Sequence, residues 1–286
     1  MPTVVNSRAP AHDLLERFVG TELLTLAERS IEYRLLPGRS AAAIDLVMLH
    51  EGLGSVSMWG DLPDRLCEVT GCRTLAYSRH GYGRSSALTG PRGADYMHEE
   101  ARTWLPAVLS ALQIQRPILV GHSDGASIAL IYASDPAQPV RGVIALAPHV
   151  MVEGITIAGI ERARTQYLDS DLRTRLAPYH ADVDGAFWGW NRAWLDPAFR
   201  EWNIERMLPF ITAPVLVIQG TDDEYGSAAQ VDHIRRALPS ADYLAIPHCG
   251  HSPHRTHGSV VIDAVARFVQ QLADDAPAAV AHSFDS

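Results

Sequence analysis

The chain has 286 residues, with 24 Lys and Arg against 33 Asp and Glu, so its formal net charge is −9, and 47% of its residues are hydrophobic. This composition is typical of a soluble globular protein and excludes a disordered chain. An acidic chain has no electrostatic means of holding a polyphosphate backbone, and neither a long apolar span nor a secretory leader occurs. We therefore expect a cytoplasmic protein with no nucleic-acid or membrane partner.

Short apolar runs alternate with helical patterns, which is typical of a mostly parallel sheet flanked by crossover helices, an α/β fold. Two runs near the start, residues 23–27 and 31–35, predict an antiparallel hairpin. Continuously apolar runs, typical of buried parallel strands, lie at residues 43–49, 73–77, 117–120, 140–146, 214–218 and 243–246. Apolar residues spaced three and four apart predict helices over residues 59–69, 96–112, 125–133, 228–238 and 259–272.

The segment between the sixth and seventh predicted strands is too long for a simple crossover. It has roughly 65 residues and contains four of the six tryptophans, whereas a crossover needs about a dozen residues. We predict a helical lid over residues 149–207, inserted into a core of residues 1–148 and 208–286. The tryptophans either pack the lid or line a substrate pocket, and for the pocket the candidates are Trp188, Trp190 and Trp194.

Residues 121–125 read Gly-His-Ser-Asp-Gly and lie between an apolar run and a helix-forming stretch. A G-x-S-x-G sequence in that position is typical of a nucleophile elbow, a sharp turn that holds a serine hydroxyl clear of the sheet. The alternative is a glycine turn with an inactive serine. The strand-to-helix position favours the elbow, so Ser123 is the predicted nucleophile.

A serine nucleophile needs a histidine base oriented by an acid, and with this elbow the acid precedes the histidine in the chain. Residues 220–224 read Gly-Thr-Asp-Asp-Glu directly after a predicted strand, where an orienting carboxylate is needed. Asp223 is our candidate among these acids. For the base we choose His251, because Gly250 permits a tight approach of the backbone, with His248 and His254 as alternatives.

These motifs resemble those of the α/β-hydrolase fold family, in the lidded form that includes proline iminopeptidases, carboxylesterases and carbon–carbon bond hydrolases. The resemblance covers about residues 20–272. It implies an acid three residues after the glycine that closes a strand, which matches Asp223, and a base that follows a glycine, which matches His251. The resemblance therefore selects the same acid and base among their neighbours.

A second matching motif is residues 50–54, His-Glu-Gly-Leu-Gly, which resemble the family's His-Gly-Gly-Pro-Gly loop with Glu51 in place of the first glycine. By that alignment the backbone N–H groups of Gly52, with Leu53 as a further candidate, and of Asp124 form an oxyanion hole. Residues 78–85 resemble the family's D-x-x-G-x-G-x-S turn, but Ser78 stands where the family has aspartate.

Two carboxylates beside the predicted oxyanion hole are unusual, because Glu51 and Asp124 would oppose the negative charge that develops there unless they are neutralised. One explanation is a structural ion pair with Arg79 or Arg84. The other is that Glu51 binds a cationic or hydroxylated substrate, as an amine-recognising peptidase requires.

Histidines recur at every third position from His248 to His257, a spacing that could indicate a metal site. We predict no metal, because Gly250 and two prolines interrupt the helix that would gather the rings and no known metal motif accompanies them. Cys249 lacks an elbow, so we expect it to pack as a small buried residue.

The resemblance implies a serine hydrolase, with a small carboxylic ester as the first expected substrate and no cofactor. Amide or peptide cleavage and carbon–carbon bond hydrolysis are alternatives, since the same three side chains can perform each. A small-ligand-binding protein without turnover is an alternative of another class, and lyase or cofactor-free oxygenase activity stays open. The sequence does not distinguish a monomer from a homodimer, and the fold alone does not decide the substrate.

Overall fold

The computed structural model describes residues 20–39 and 44–274, in which eight strands form one sheet in the order β1-β2-β4-β3-β5-β6-β7-β8. The strands are β1 (Glu22–Leu26), β2 (Arg29–Leu36), β3 (Asp45–Leu49), β4 (Arg73–Tyr77), β5 (Ile118–His122), β6 (Gly142–Leu146), β7 (Val215–Gly220) and β8 (Asp242–Ile246). Each predicted strand is present, with ends shifted by a few residues. The predicted strand start at Ala43 lies outside the described residues.

The strand pairing follows the predicted change from antiparallel to parallel. β1 and β2 form the antiparallel hairpin, and β2 pairs antiparallel with β4. From β4 to β8 every neighbouring pair is parallel. β3, β5, β6 and β7 are buried along their whole length, which explains their continuous apolar runs. The predicted α/β fold is confirmed.

Helices cover both faces of the sheet. They are α1 (Leu62–Thr70), α2 (Tyr96–Glu99), α3 (Leu105–Ala111), α4 (Asp124–Ala133), α5 (Gly154–Asp169), α6 (Leu172–Leu176), α7 (Val183–Leu195), α8 (Ala228–Ala237), α9 (Pro253–Thr256) and α10 (Gly258–Asp274). Short 3₁₀ helices lie at Val56–Trp59, Ala177–Tyr179, Pro197–Glu201 and Glu205–Phe210.

The single helix predicted over residues 96–112 contains a π-helical segment, Glu100–Trp104, between α2 and α3. This segment ends close to Pro106, which has no backbone N–H to donate and whose ring crowds the preceding turn. A wider turn relieves that crowding, so the chain runs from α2 into α3 without a break.

Residues 147–214, between β6 and β7, contain α5, α6, α7 and three of the 3₁₀ helices, and we call them the helical insertion. α7 begins where the side chain of Asp182 accepts a hydrogen bond from the N–H of Gly185 at 2.8 Å, and it ends before Pro197. Aromatic stacking holds the insertion together, as in the pair Tyr167 and Phe187, whose ring centroids are 3.6 Å apart.

The carboxyl ends of the parallel strands β3, β5, β6, β7 and β8 lie along one edge of the sheet. The insertion and the loops after these strands therefore meet at that edge, where ligands bind in open parallel sheets. Within the described residues, every helix is too short or too polar to cross a lipid bilayer.

Candidate active site

The turn from β5 into α4 is a strained elbow. Ser123 has φ 53° and ψ −118°, a conformation that side-chain-bearing residues adopt only when their surroundings enforce it. A Cβ atom at position 121 would lie 2.3 Å from the carbonyl oxygen of Gly125, and one at position 125 would lie 1.9 Å from that of Leu49. Both glycines are therefore required for the backbone to cross at this point, and Ser123 is presented at the sheet edge.

The structure brings the predicted serine, histidine and aspartate together from three loops. The Nε2 atom of His251 lies 2.9 Å from Oγ of Ser123. The Nδ1 atom of the same ring lies 2.8 and 2.9 Å from the two carboxylate oxygens of Asp223. Of the alternative bases, His248 is exposed on the surface and His254 packs against Trp59. Neither takes the place of His251.

Asp223 is held as an ionised acceptor. One carboxylate oxygen accepts hydrogen bonds from the N–H groups of Tyr225 and Gly226 at 2.8 and 3.1 Å, and the other accepts from the Gln219 amide at 2.9 Å. Burial alone would raise the pKa of the Asp223 carboxyl, but the hydrogen bond and charge of His251 outweigh it and lower that pKa. An ionised Asp223 requires the proton of His251 on Nδ1, which leaves Nε2 free to accept from Ser123.

The loop after β3 is fixed through the carbonyl oxygen of Glu51. This oxygen accepts from Nδ1 of His50 at 2.7 Å, from Nη2 of Arg79 at 2.9 Å and from the N–H of Gly54 at 3.1 Å. The proton of His50 is on Nδ1, because its Nε2 accepts from the N–H of Arg79 at 3.0 Å. In a trans peptide the N–H opposes the C=O, so the N–H of Gly52 points away from these donors.

The side chain of Asp124 is neutralised by its neighbours. Tyr96 donates its hydroxyl to this carboxylate at 2.5 Å, Trp194 donates its indole N–H at 3.2 Å, and Nη2 of Arg79 lies 3.7 Å away. All four side chains are buried. The ion-pair explanation with Arg79 is therefore confirmed for Asp124.

For Glu51 the expected partner was wrong. Its carboxylate lies 3.4 Å from Nη2 of Arg255 and 3.5 Å from Nδ1 of His122, whereas Arg79 contacts only its backbone oxygen. Arg84 instead donates its backbone N–H to Glu32. Glu51 and Arg255 are 204 positions apart in the chain, so their contact depends on how the loops after the strands pack together. The local sequence does not specify that packing.

A cavity of about 290 Å³ opens beside Ser123. Its wall includes Glu51, Gly52, Leu53, Met58, Ser123, Asp124, Ile160, Leu172, Leu176, Trp190, Trp194 and His251. The prediction that Trp188 lines a pocket is wrong for this cavity. The Trp188 ring instead packs at its edge against Tyr167 and Phe187, with the guanidinium of Arg192 over its face.

The family profile described as "Alpha/beta hydrolase family" matches residues 46–264. The chain belongs to the alpha/beta hydrolase family. It is similar to the sn-1-specific diacylglycerol lipase ABHD11 of Mus musculus, with 24% identity over 88% of this chain and 89% of that protein. It also shares the fold of a proline iminopeptidase from Mycobacterium smegmatis, with a TM-score of 0.73 and 18% identity over 90% of this chain and 100% of the other.

A further solved structure, the esterase RhEst1 from Rhodococcus sp. ECU1013, has a TM-score of 0.68 and 22% identity, over 89% of this chain and 100% of that one. These similarities establish the fold and the family. By its family this chain is a hydrolase, and the relatives similar to it include a lipase and a proline iminopeptidase as well as non-heme chloroperoxidases.

One departure from the family motif is compensated in this hydrolase. Ser78, where the family has aspartate, donates its hydroxyl to Oε2 of Glu32 at 2.7 Å, and Arg84 donates its N–H to the same oxygen at 3.0 Å. A Cβ at Gly83 would lie 2.1 Å from that oxygen. The buried carboxylate of Glu32, on β2, thus lies in the turn where the family has an aspartate side chain.

The helical insertion is fastened to the predicted oxyanion loop. A Cβ at Gly52 would lie 2.0 Å from Nε1 of Trp190, so the indole packs directly on this glycine. His180 accepts from the N–H of Gly83 at 3.0 Å through Nδ1 and donates from Nε2 to the carbonyl of Leu53 at 3.0 Å. Burial lowers the pKa of His180 to about 4, which keeps this ring neutral and able to accept.

Sequence reasoning missed several residues around the cavity, namely His122, His149, Tyr225 and Arg255. Position in the chain could have indicated three of them. His122 is part of the elbow motif, His149 follows β6 at the carboxyl edge, and Arg255 lies four residues after His251. Burial lowers the pKa of His149 to about 3, so this ring is neutral beside His251.

The histidine series after β8 does not converge. Among the residues that the structure describes, no group of three or more His, Cys, Asp or Glu side chains is arranged to hold a metal ion. The side chain of His248 is 94% exposed, whereas His254 is buried. Cys249 is buried, as predicted for a packing residue.

Proposed function

We propose that this hydrolase cleaves small carboxylic esters through an acyl-enzyme formed on Ser123. The observation that carries the proposal is the continuous contact from Ser123 Oγ through His251 to Asp223, with distances of 2.9 and 2.8 Å. A serine hydroxyl becomes a competent nucleophile when an oriented base can take its proton. The orientation comes from Asp223, which is fixed by Gln219 and two backbone N–H groups.

In the proposed reaction, Oγ of Ser123 attacks the ester carbonyl carbon as Nε2 of His251 takes the hydroxyl proton. Collapse of the tetrahedral intermediate breaks the bond to the leaving oxygen, and His251 gives its proton to the departing alcohol. Water then attacks the acyl-enzyme with His251 again as base, which releases the carboxylic acid and restores Ser123. Asp223 stays ionised and stabilises the imidazolium that forms in each step.

The oxyanion hole in this proposal consists of the N–H groups of Gly52 and Asp124. Two features support it: the peptide between Glu51 and Gly52 is anchored through its carbonyl, and Asp124 is the first residue of α4. The N–H groups in the first turn of a helix have no acceptor within the helix. Each such donor contributes about 3 kcal/mol to transition-state stabilisation. Leu53 has the weaker support, because only its carbonyl is seen to be held.

The size and lining of the cavity support a small substrate with an apolar acyl group. The cavity of about 290 Å³ has an apolar part of its wall, which is formed by Ile160, Leu172, Leu176, Trp190 and Trp194. The mouse relative is named a diacylglycerol lipase, and a diacylglycerol is a carboxylic ester. We further propose that the helical insertion acts as a lid and that no cofactor takes part. Because Glu51 already faces Arg255 and His122, it does not offer a free carboxylate to a substrate amine.

Intact-mass analysis after treatment with a fluorophosphonate tests the proposal. The native chain should gain one stoichiometric adduct, and Ser123→Ala and His251→Ala should not. The native chain should also hydrolyse p-nitrophenyl acetate and butyrate with steady turnover. Labelling that survives Ser123→Ala would show that another residue is the nucleophile. Stable binding of esters by unlabelled, folded protein would favour a ligand-binding protein.

A further inference from the structure

Three segments of the site meet at the side chain of Glu51, which follows β3. Its Oε2 lies 3.5 Å from Nδ1 of His122, the last residue of β5, and its Oε1 lies 3.4 Å from Nη2 of Arg255 in α9. The side chains of His122 and Glu51 are 1% and 18% exposed, so water screens their interaction weakly. The carboxylate therefore connects the oxyanion loop, the nucleophile strand and the helix that follows His251.

The two contacts of the His122 ring favour an additional proton between His122 and Glu51. The Nε2 atom of His122 lies 2.7 Å from the carbonyl oxygen of His251. A carbonyl only accepts, so this nitrogen carries a hydrogen. If that were the ring's only N–H hydrogen, Nδ1 would point a lone pair at an ionised carboxylate. A second proton on the ring removes this repulsion.

The neighbouring groups place that proton on His122. Burial alone would raise the pKa of the Glu51 carboxyl, but the hydrogen bond with His122 and the charges of His122 and Arg255 hold it well below its usual range. Burial lowers the pKa of His254 and of His149, with the next cause being the charge of His122 at His254 and that of His251 at His149. Their neutral rings therefore add no competing positive charge. The remaining titratable ring that faces His122 is His251, at a centroid distance of 5.2 Å.

We propose that His122 is an imidazolium that positions His251 for its reaction with Ser123. One N–H of the ring holds the backbone carbonyl of His251, and the other faces Glu51, which is anchored in turn by Arg255. His122 is therefore a positioning residue that does not touch the reacting atoms. Its charge also cancels that of Glu51 beside the predicted oxyanion hole. This inference rests on the proposed function, because it assigns a role within the same reaction.

Nitrogen NMR of ¹⁵N-histidine-labelled protein at about pH 8 tests the protonation state directly. We expect one ring with both nitrogens protonated, which is absent from His122→Gln and becomes singly protonated in Glu51→Gln. The glutamine amide can donate to Nδ1 of a neutral ring, so the second variant keeps the contact without the extra proton. A singly protonated His122 in the native protein would overturn the proposal, whatever the protein hydrolyses.

Kinetics on a p-nitrophenyl ester tests the positioning role. Glu51→Ala should lower kcat about tenfold with KM changed less than about threefold, because the base loses its anchor while the apolar part of the cavity wall is unchanged. Glu51→Gln should recover most of the lost kcat and be less sensitive than the native enzyme to alkaline pH, since its contact with His122 needs no extra proton. Equal kcat in Glu51→Ala and the native protein, or no recovery in Glu51→Gln, would overturn the role.

A matched control is available in Glu205, which makes a comparable carboxylate–imidazole contact with His233 at 2.6 Å, away from the cavity. Glu205→Ala should leave kcat and its pH dependence unchanged. The proposed function is tested separately. It would be wrong if the native chain neither reacted with the fluorophosphonate nor hydrolysed esters.

Discussion

The strand-end loops and the helical insertion are stabilised in different ways. In the loops, backbone crossings and charged hydrogen bonds fix single atoms, as at Ser123, Asp223 and the carbonyl of Glu51. In the insertion, stacked aromatic rings such as Tyr167 and Phe187 fill volume. Reaction chemistry requires atoms placed to a fraction of an ångström, whereas selectivity depends on the shape of a cavity. Changes in the loops should therefore affect turnover, and changes in the insertion should affect substrate preference.

The largest effect is expected for Asp223→Asn, which should lower kcat about 10⁴-fold. The N–H groups of Tyr225 and Gly226 hold one oxygen in place, so the new amide nitrogen takes the other position, 2.9 Å from Nδ1 of His251. An amide N–H there drives the ring proton to Nε2, which can then no longer accept from Ser123. Steady-state ester hydrolysis measures the loss.

Asp222→Asn provides the matched control, since it removes the same charge from the adjacent residue, whose side chain is 62% exposed. It should leave kcat within about twofold of the native value, as exposed charges contribute little. A larger loss in Asp222→Asn than in Asp223→Asn would mean that the wrong acid was chosen.

The contrast between loops and insertion also explains how much the sequence could predict. Ser123, Asp223 and His251 follow from short motifs, strand order and a family resemblance, because turns at strand ends are specified locally. The partner of Glu51 could not be predicted in the same way, since Arg255 approaches it only after the sheet has formed. The hairpin and the parallel strands were predictable because their apolar patterns reflect burial directly.

In the insertion the sequence predicted helices but could not orient their side chains. Trp188 and Trp190 are two positions apart on α7, so they point in different directions. Which of them reaches the cavity depends on how α7 is rotated against the core. That rotation depends on contacts such as Trp190 on Gly52 and Trp194 on Asp124, which join distant parts of the chain.

An intermediate effect is expected where the two regions are joined, at His180. The unfolded chain protonates this ring near pH 6.5, whereas the folded protein holds its pKa to about 4. The neutral His180 ring therefore makes its full contribution to the free energy of unfolding above pH 6.5. About 3 kcal/mol of that free energy is lost as the pH falls toward 4. His180→Gln keeps one donor and one acceptor but does not titrate, so its free energy of unfolding should fall less over this range.

Urea unfolding of both proteins at several pH values between about 7 and 4 measures that difference. His248→Gln is the control, because this side chain is 94% exposed and should leave the acid sensitivity of the native protein as it is. If the free energy of unfolding fell equally with pH in the native protein and in His180→Gln, the His180 ring would not be the cause of the acid sensitivity.

The smallest effect, and the sharpest test of the contrast, is expected from the tryptophans of α7. Trp190→Leu widens the cavity, so it should favour longer acyl chains over acetate about fivefold in kcat/KM. Trp188→Leu removes the same volume from a ring that packs on Tyr167 and Phe187 outside the cavity, and should leave the preference unaltered. A p-nitrophenyl ester series measures both. If Trp188→Leu shifted the preference equally, selectivity would depend on the packing of the whole insertion and not on the residues that line the cavity.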